Sequence, residues 1–96
     1  MSEAVIVIDE RDNVATALRA IDAGESLRIE VGSTSIDITV LEPIAFGHKI
    51  ALADLEKGSH ILKYGEVMGL ATRKIAKGEH THVHNVEGPE PGREER

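Results

Sequence analysis

The strongest constraint on the fold is a ten-residue pattern that recurs around glycines. Residues 51–60 read Ala-Leu-Ala-Asp-Leu-Glu-Lys-Gly-Ser-His, and residues 71–80 read Ala-Thr-Arg-Lys-Ile-Ala-Lys-Gly-Glu-His. The shared pattern is Ala, three residues, Leu or Ile, one residue, Lys-Gly, one residue, His. A fainter echo covers 17–25, with Ile21 and Gly24 in the matching places. Each copy is expected to be a short turn closed by glycine and followed by a strand. Two or three such units predict a compact, mostly β domain built from intertwined repeats; chance likeness in a short chain is the alternative.

The rest of the chain fits that class with one exception. Residues 4–8 are apolar and β-branched, which predicts a buried strand. Asp12 offers a helix N-cap, Val14, Ala17, Leu18 and Ile21 follow at helical spacing, and Gly24 supplies a stop, predicting a helix over 13–23. Leu27, Ile29 and Val31 alternate with Arg28 and Glu30, and Ile36, Ile38 and Val40 with Asp37 and Thr39. These are two half-buried strands joined by a turn at 32–35, the second ended by Pro43. The expected fold class is mostly β with one short helix.

Composition limits what such a domain can do. Ninety-six residues with one Phe, one Tyr and no Trp allow a single domain with a thin, aliphatic core. Burying an aliphatic side chain contributes about 1.5–3 kcal/mol, while ordering each residue costs about 1.5 kcal/mol. A partner surface would help. The net charge of −6 argues against a nucleic-acid backbone as main partner, and the lack of cysteine excludes disulfides and thiolate zinc sites. No apolar run approaches a membrane span, and the N-terminus lacks the basic start of a secretory signal, so a cytoplasmic location is expected. The domain is expected over 1–87, followed by a polar, disordered tail over 88–96.

Three clusters carry candidate chemistry. His80, His82 and His84 stand at alternate positions, so in an extended strand their imidazoles share one side. Neighbours in that row are roughly 6.5–7 Å apart, and two of them can converge on one ion. The pair would be His82 with His84 or His80 with His82, with further ligands from elsewhere. The second cluster is Gly47-His48-Lys49, the third Lys63-Tyr64-Gly65-Glu66. Together they provide many donors and few acceptors, a set suited to an anionic, polyhydroxylated ligand. No serine lies in a nucleophile elbow and no phosphate-cradling glycine loop is present, which excludes an autonomous hydrolase or nucleotide enzyme.

Taken in order, residues 12–18, 47–52 and 63–66, Gly69 with Ala71-Thr72, and residues 78–85 resemble the altronate dehydratase and galactarate dehydratase family. The likeness is to its small N-terminal SAF domain, of β-clip fold, over roughly residues 5–87. One departure is Thr81, where many relatives carry Val. The resemblance implies a small subunit that works with a separate large dehydratase subunit. The pair would eliminate water from a sugar acid to give a 2-keto-3-deoxy acid. It carries over His48, Lys49, Lys63, Tyr64, Glu66, His82, His84 and Asn85 as site positions, whether catalytic, substrate-clamping or docking; the expected roles are catalysis for His48, Lys63 and His82, and substrate contact for Lys49, Tyr64, Glu66 and Asn85. It also implies a divalent metal (Fe2+, Mn2+ or Zn2+) on His82 and His84. Self-association is compatible with it. The alternatives are the alpha subunit of a sulfolactate sulfo-lyase, a non-catalytic SAF binding or docking module, and, more weakly, a metal carrier.

Overall fold

A computed structural model describes residues 4–88. They form nine short strands: β1 (Val5–Ile6), β2 (Val14–Ala17), β3 (Ser26–Val31), β4 (Thr34–Thr39), β5 (Lys49–Ala51), β6 (His60–Lys63), β7 (Glu66–Ala71), β8 (His80–Thr81) and β9 (Val86–Glu87). All neighbours pair antiparallel, in sheets ordered β1-β2-β5-β8, β3-β4 and β6-β7-β9. The mostly β expectation holds, but no helix occurs among the described residues. None of them forms a helix long and apolar enough to cross a membrane. The predicted tail, Gly88 apart, lies outside the described residues.

The ten-residue unit occurs four times, at 17–26, 40–49, 51–60 and 71–80. In each, the fifth residue is buried and makes an isolated bridge to its counterpart: Ile21 with Ile44, Leu55 with Ile75. In each, the glycine at the eighth place has positive φ, and its N–H donates to the first carbonyl of the paired unit. These bonds run from Gly24 to Val40 (2.7 Å), Gly47 to Ala17 (2.9 Å), Gly58 to Ala71 (2.8 Å) and Gly78 to Ala51 (2.9 Å). Units one and two therefore interlock, as do three and four. The second unit escapes the sequence pattern because Val40 replaces the alanine and Pro43 reads as the end of a strand.

The predicted helix is a strand followed by the first of these turns. Val14 and Ala15 are both buried, but in different cores. Val14 packs with Ala51, Leu55, Ile61, Ala71 and Ile75, while Ala15 packs with Ala17, Ile21, Ile44 and Ile50. A strand buried on both faces carries apolar residues at consecutive positions, and here that ran into the turn's own Ala17 and Ile21 to mimic helical spacing. Asp12 caps no helix. Its carboxylate accepts the N–H of Gly65 (2.8 Å) and of Asp9 (3.2 Å). Asn13 bonds both ways to β6, donating to the His60 carbonyl (2.9 Å) and accepting from the Leu62 amide (2.7 Å). The Asp12-Asn13 pair thus ties the start of β2 to the β6–β7 hairpin. The hairpin tip is Tyr64-Gly65, with φ of 59° and 74°. Left-handed backbone at both central positions matches the twist of a tight hairpin.

Candidate functional site

The site forms where the second unit meets the end of the fourth. β5 and β8 pair through Lys49 with Thr81 and Ile50 with His80. Continuing that register by one residue sets His48 opposite His82. His48, His80 and His82 therefore share one face of the sheet. Their rings lie nearly parallel: 3.9 Å between the centroids of His48 and His82, 5.1 Å for His48 and His80, and 5.7 Å for His80 and His82. One nitrogen from each ring falls within 4.8 Å of the other two.

The sequence reading put His80 and His82 on one side, and they are. The alternation places His84 beside them as well, but the chain turns over 82–85. His84 is exposed, and its ring rests on His80 at 4.9 Å with a 33° tilt. His48, read from sequence as a catalytic candidate, is the third member of the group. Finding this from sequence required the β5–β8 pairing, which joins residues more than thirty apart.

Two features fit a cation. His82 Nδ1 is buried and has no hydrogen-bond partner among the described residues. An unpaired ring nitrogen in that position is costly, and in the tautomer protonated at Nε2 a metal ion would satisfy its lone pair. His48 Nδ1 and His80 Nε2 are 2.9 Å apart, so one donates to the other when no ion is bound. Nitrogens held by a tetrahedral ion with bonds of about 2.0–2.1 Å sit about 3.3 Å apart; the His48–His80 pair is near that spacing, and the stacked rings would rotate for all three lone pairs to meet one ion. Burial lowers the pKa of His80, aided by the positive charge that His84 and His48 would carry. Burial also lowers that of His82, aided by His48 and Lys49. Both shifts keep the imidazoles neutral, which is the state that ligates a metal.

Hydrogen bonds fix the loop that carries two of the three rings. Asn85 is fully buried. Its carboxamide accepts from the His82 amide (2.9 Å) and donates to the His80 carbonyl (2.8 Å). The amide predicted to contact substrate is thus engaged by the loop itself. The His80 amide donates to the carboxylate of Glu42 (3.1 Å), a residue the sequence reading did not single out.

The remaining candidates form a second group. The register places Lys49 with Thr16 and Thr81 on the other face of the sheet, at its end. Its pKa is lowered by burial and then by the charge of Lys63, with Tyr64 opposing. Lys63 lies with its ammonium 4.4 Å from the Tyr64 ring centre. Neither lysine has an acidic partner within ion-pair distance among the described residues. Glu66, across the hairpin from Lys63, is exposed.

Comparison with known proteins identifies the family. The sequence family described as altronate/galactarate dehydratase SAF domain matches residues 3–89. An altronate dehydratase of Bacillus subtilis (strain 168) is 43% identical over 81 residues, covering 84% of this chain and 16% of its own length. An altronate dehydratase of Escherichia coli (strain K12) is 41% identical over 81 residues, again 84% of this chain and 16% of the relative. The alpha subunit of a (2R)-sulfolactate sulfo-lyase from Chromohalobacter salexigens is 33% identical over 89 residues, which is 90% of this chain and 95% of that subunit. The chain thus spans about one sixth of the altronate dehydratases and nearly the whole of the sulfo-lyase subunit.

Proposed function

Since the chain belongs to the altronate/galactarate dehydratase SAF-domain family, we propose that it is the small unit of a lyase acting on hydroxylated carboxylic acids, with a divalent metal held by His48, His80 and His82. The observation that carries this is the approach of one imidazole nitrogen each from His48, His80 and His82 to within 4.8 Å of one another; the buried His82 Nδ1 without a partner among the described residues supports it. The chemistry is elimination. A base removes the proton next to the carboxylate, the hydroxyl on the adjacent carbon leaves, and the enol relaxes to a 2-keto-3-deoxy acid. The metal would stabilise the negative charge that develops beside the carboxylate. Within this chain the imidazoles orient the reacting end, and Lys63 and Lys49 attract the acid. Asn85 and Glu42 hold the ligand-bearing loop.

On this reading the base comes from a larger subunit, because among the described residues no side-chain carboxylate hydrogen-bonds an imidazole of the group to form an acid–base pair. The surface around the site suits such a partner. Phe46 and Val83, 71% and 80% exposed, stand two residues before His48 and one after His82. Large apolar side chains left in water beside a polar centre are the usual mark of a covered surface. The nearly full-length match to a sulfo-lyase alpha subunit favours a second reading, in which a sulfonated hydroxy acid loses sulfite in place of water.

Reconstitution tests the proposal. The chain is mixed with its large subunit, and 2-keto acid release from altronate and galactarate, or sulfite release from sulfolactate, is followed. His48→Ala and His82→Ala should each lower turnover at least about tenfold. Turnover within threefold of the parent in both would refute the site.

A further inference from the structure

The second turn unit differs from the first and fourth at its third and ninth places, and both differences point at His80. In units one and four the third residue is Arg and the ninth is Glu, and they pair with each other: Arg19 with Glu25 at 2.9 Å, and Arg73 with Glu79. The acid also accepts a backbone N–H of its own turn, from Asp22 or Ala76. In unit two the third residue is Glu42 and the ninth is His48. No ion pair joins these two among the described residues. Each instead reaches His80: Glu42 through the backbone N–H, His48 through the ring. The internal lock of the turn has become a two-point grip on another unit.

We infer that Glu42 is a positioning residue of the histidine group, fixing the His80 backbone and holding a carboxylate at the His80 peptide, so that the group selects a cation and not the carboxylate of a substrate. The inference rests on the metal reading above. The first part follows from geometry: Glu42 on the amide and Asn85 on the carbonyl hold the His80 peptide from both sides. The second follows from charge. Three imidazoles alone accept either a metal or, once protonated, an anion. A carboxylate held at the His80 amide favours the metal and repels the acid. No Arg or Lys forms an ion pair with Glu42 among the described residues.

The test is titration of the full chain with Zn2+ and, separately, Mn2+ by calorimetry, for the parent, Glu42→Ala, Glu42→Gln and Glu42→Asp. Circular dichroism on the same samples verifies the fold. Glu42→Ala should weaken metal binding about 10–100-fold, the range found for groups that orient metal ligands. Glu42→Gln keeps an acceptor for the His80 amide but loses the charge, so it should recover only part of that loss. Glu42→Asp, with the charge retained, should recover more than Gln. Glu42→Ala binding within twofold of the parent overturns the inference, as does Gln binding as tightly as Glu. A parent chain that takes up neither metal overturns the metal reading and this inference together, so the two failures are told apart in one experiment.

Discussion

The first and second turn units share a backbone and differ in what their side chains serve. Unit one is closed on itself, with the Arg19–Glu25 pair and the Asp22 amide all inside one loop. Unit two keeps the same glycine, the same bridge and the same paired carbonyl, but its third and ninth side chains leave the loop. The backbone bonds from glycine and the buried fifth residue are therefore sufficient to form the unit, and the flanking polar positions are free to vary. A binding site arises at the position where a self-closing acid gives way to an imidazole.

The largest expected effect contrasts two glycines of the same conformation. Gly24 and Gly78 both have φ of 90°, but a methyl group on Gly24 meets nothing within 4 Å, whereas one on Gly78 runs into the carbonyl oxygen of Thr39. Gly24→Ala should cost about 1–2 kcal/mol from left-handed strain alone. Gly78→Ala should cost about 3–4 kcal/mol, because overpacking adds to the strain. Urea unfolding compares them. Equal losses would show that unit four is not anchored on the end of β4.

A double exchange sharpens the contrast between units one and two. Glu42→Arg with His48→Glu writes the unit-one pair into unit two. Metal binding should fall at least about a hundredfold, with stability within about 1 kcal/mol of the parent, since an exposed ion pair contributes little. A chain that no longer folds would show that unit two depends on its own side chains.

Acid should separate the two regions in order. His80 and His82 have pKa values below the ordinary 6.5, so the unfolded chain takes up protons first and stability falls as pH drops below about 6.5. Glu25 is lowered to about 2 by Arg19 and the Asp22 amide. Its stabilisation is present above the ordinary value of 4.5 and lost as pH falls from there towards about 2. Urea midpoints between pH 7.5 and 3 should show two declines, with His82→Ala flattening the first and Glu25→Gln the second. A single decline below pH 4.5 would remove the burial argument for the imidazoles. The smallest effect lies outside both regions. Arg28→Ala breaks a pair exposed on both sides and should change stability by less than about 0.5 kcal/mol.

Part of the fold was legible in the sequence, but the contrast between units one and two was not. The repeat at 51–60 and 71–80, with its echo at 17–25, predicted intertwined units, and the alternation of His80 and His82 predicted a shared face. What escaped notice depended on long-range pairing. β2 is buried on both faces, so its apolar positions lost the period of two and joined the turn's residues into a helical spacing. Unit two was concealed by Val40 and Pro43. Glu42 gave no local signal, because its meaning lies in departing from Arg19 and Arg73 at a repeat position that must first be recognised. Asn85 was noticed for its place beside the histidines, but its burial and its two backbone partners could not be read from spacing.

X-ray absorption of the full chain loaded with one equivalent of Zn2+ tests the central claim most directly, that rings from two different turn units make one metal centre. The account predicts three imidazole nitrogens at about 2.0 Å, falling to two in His48→Ala with the fold intact. A first shell of oxygen alone, or a spectrum unchanged by His48→Ala, would contradict it.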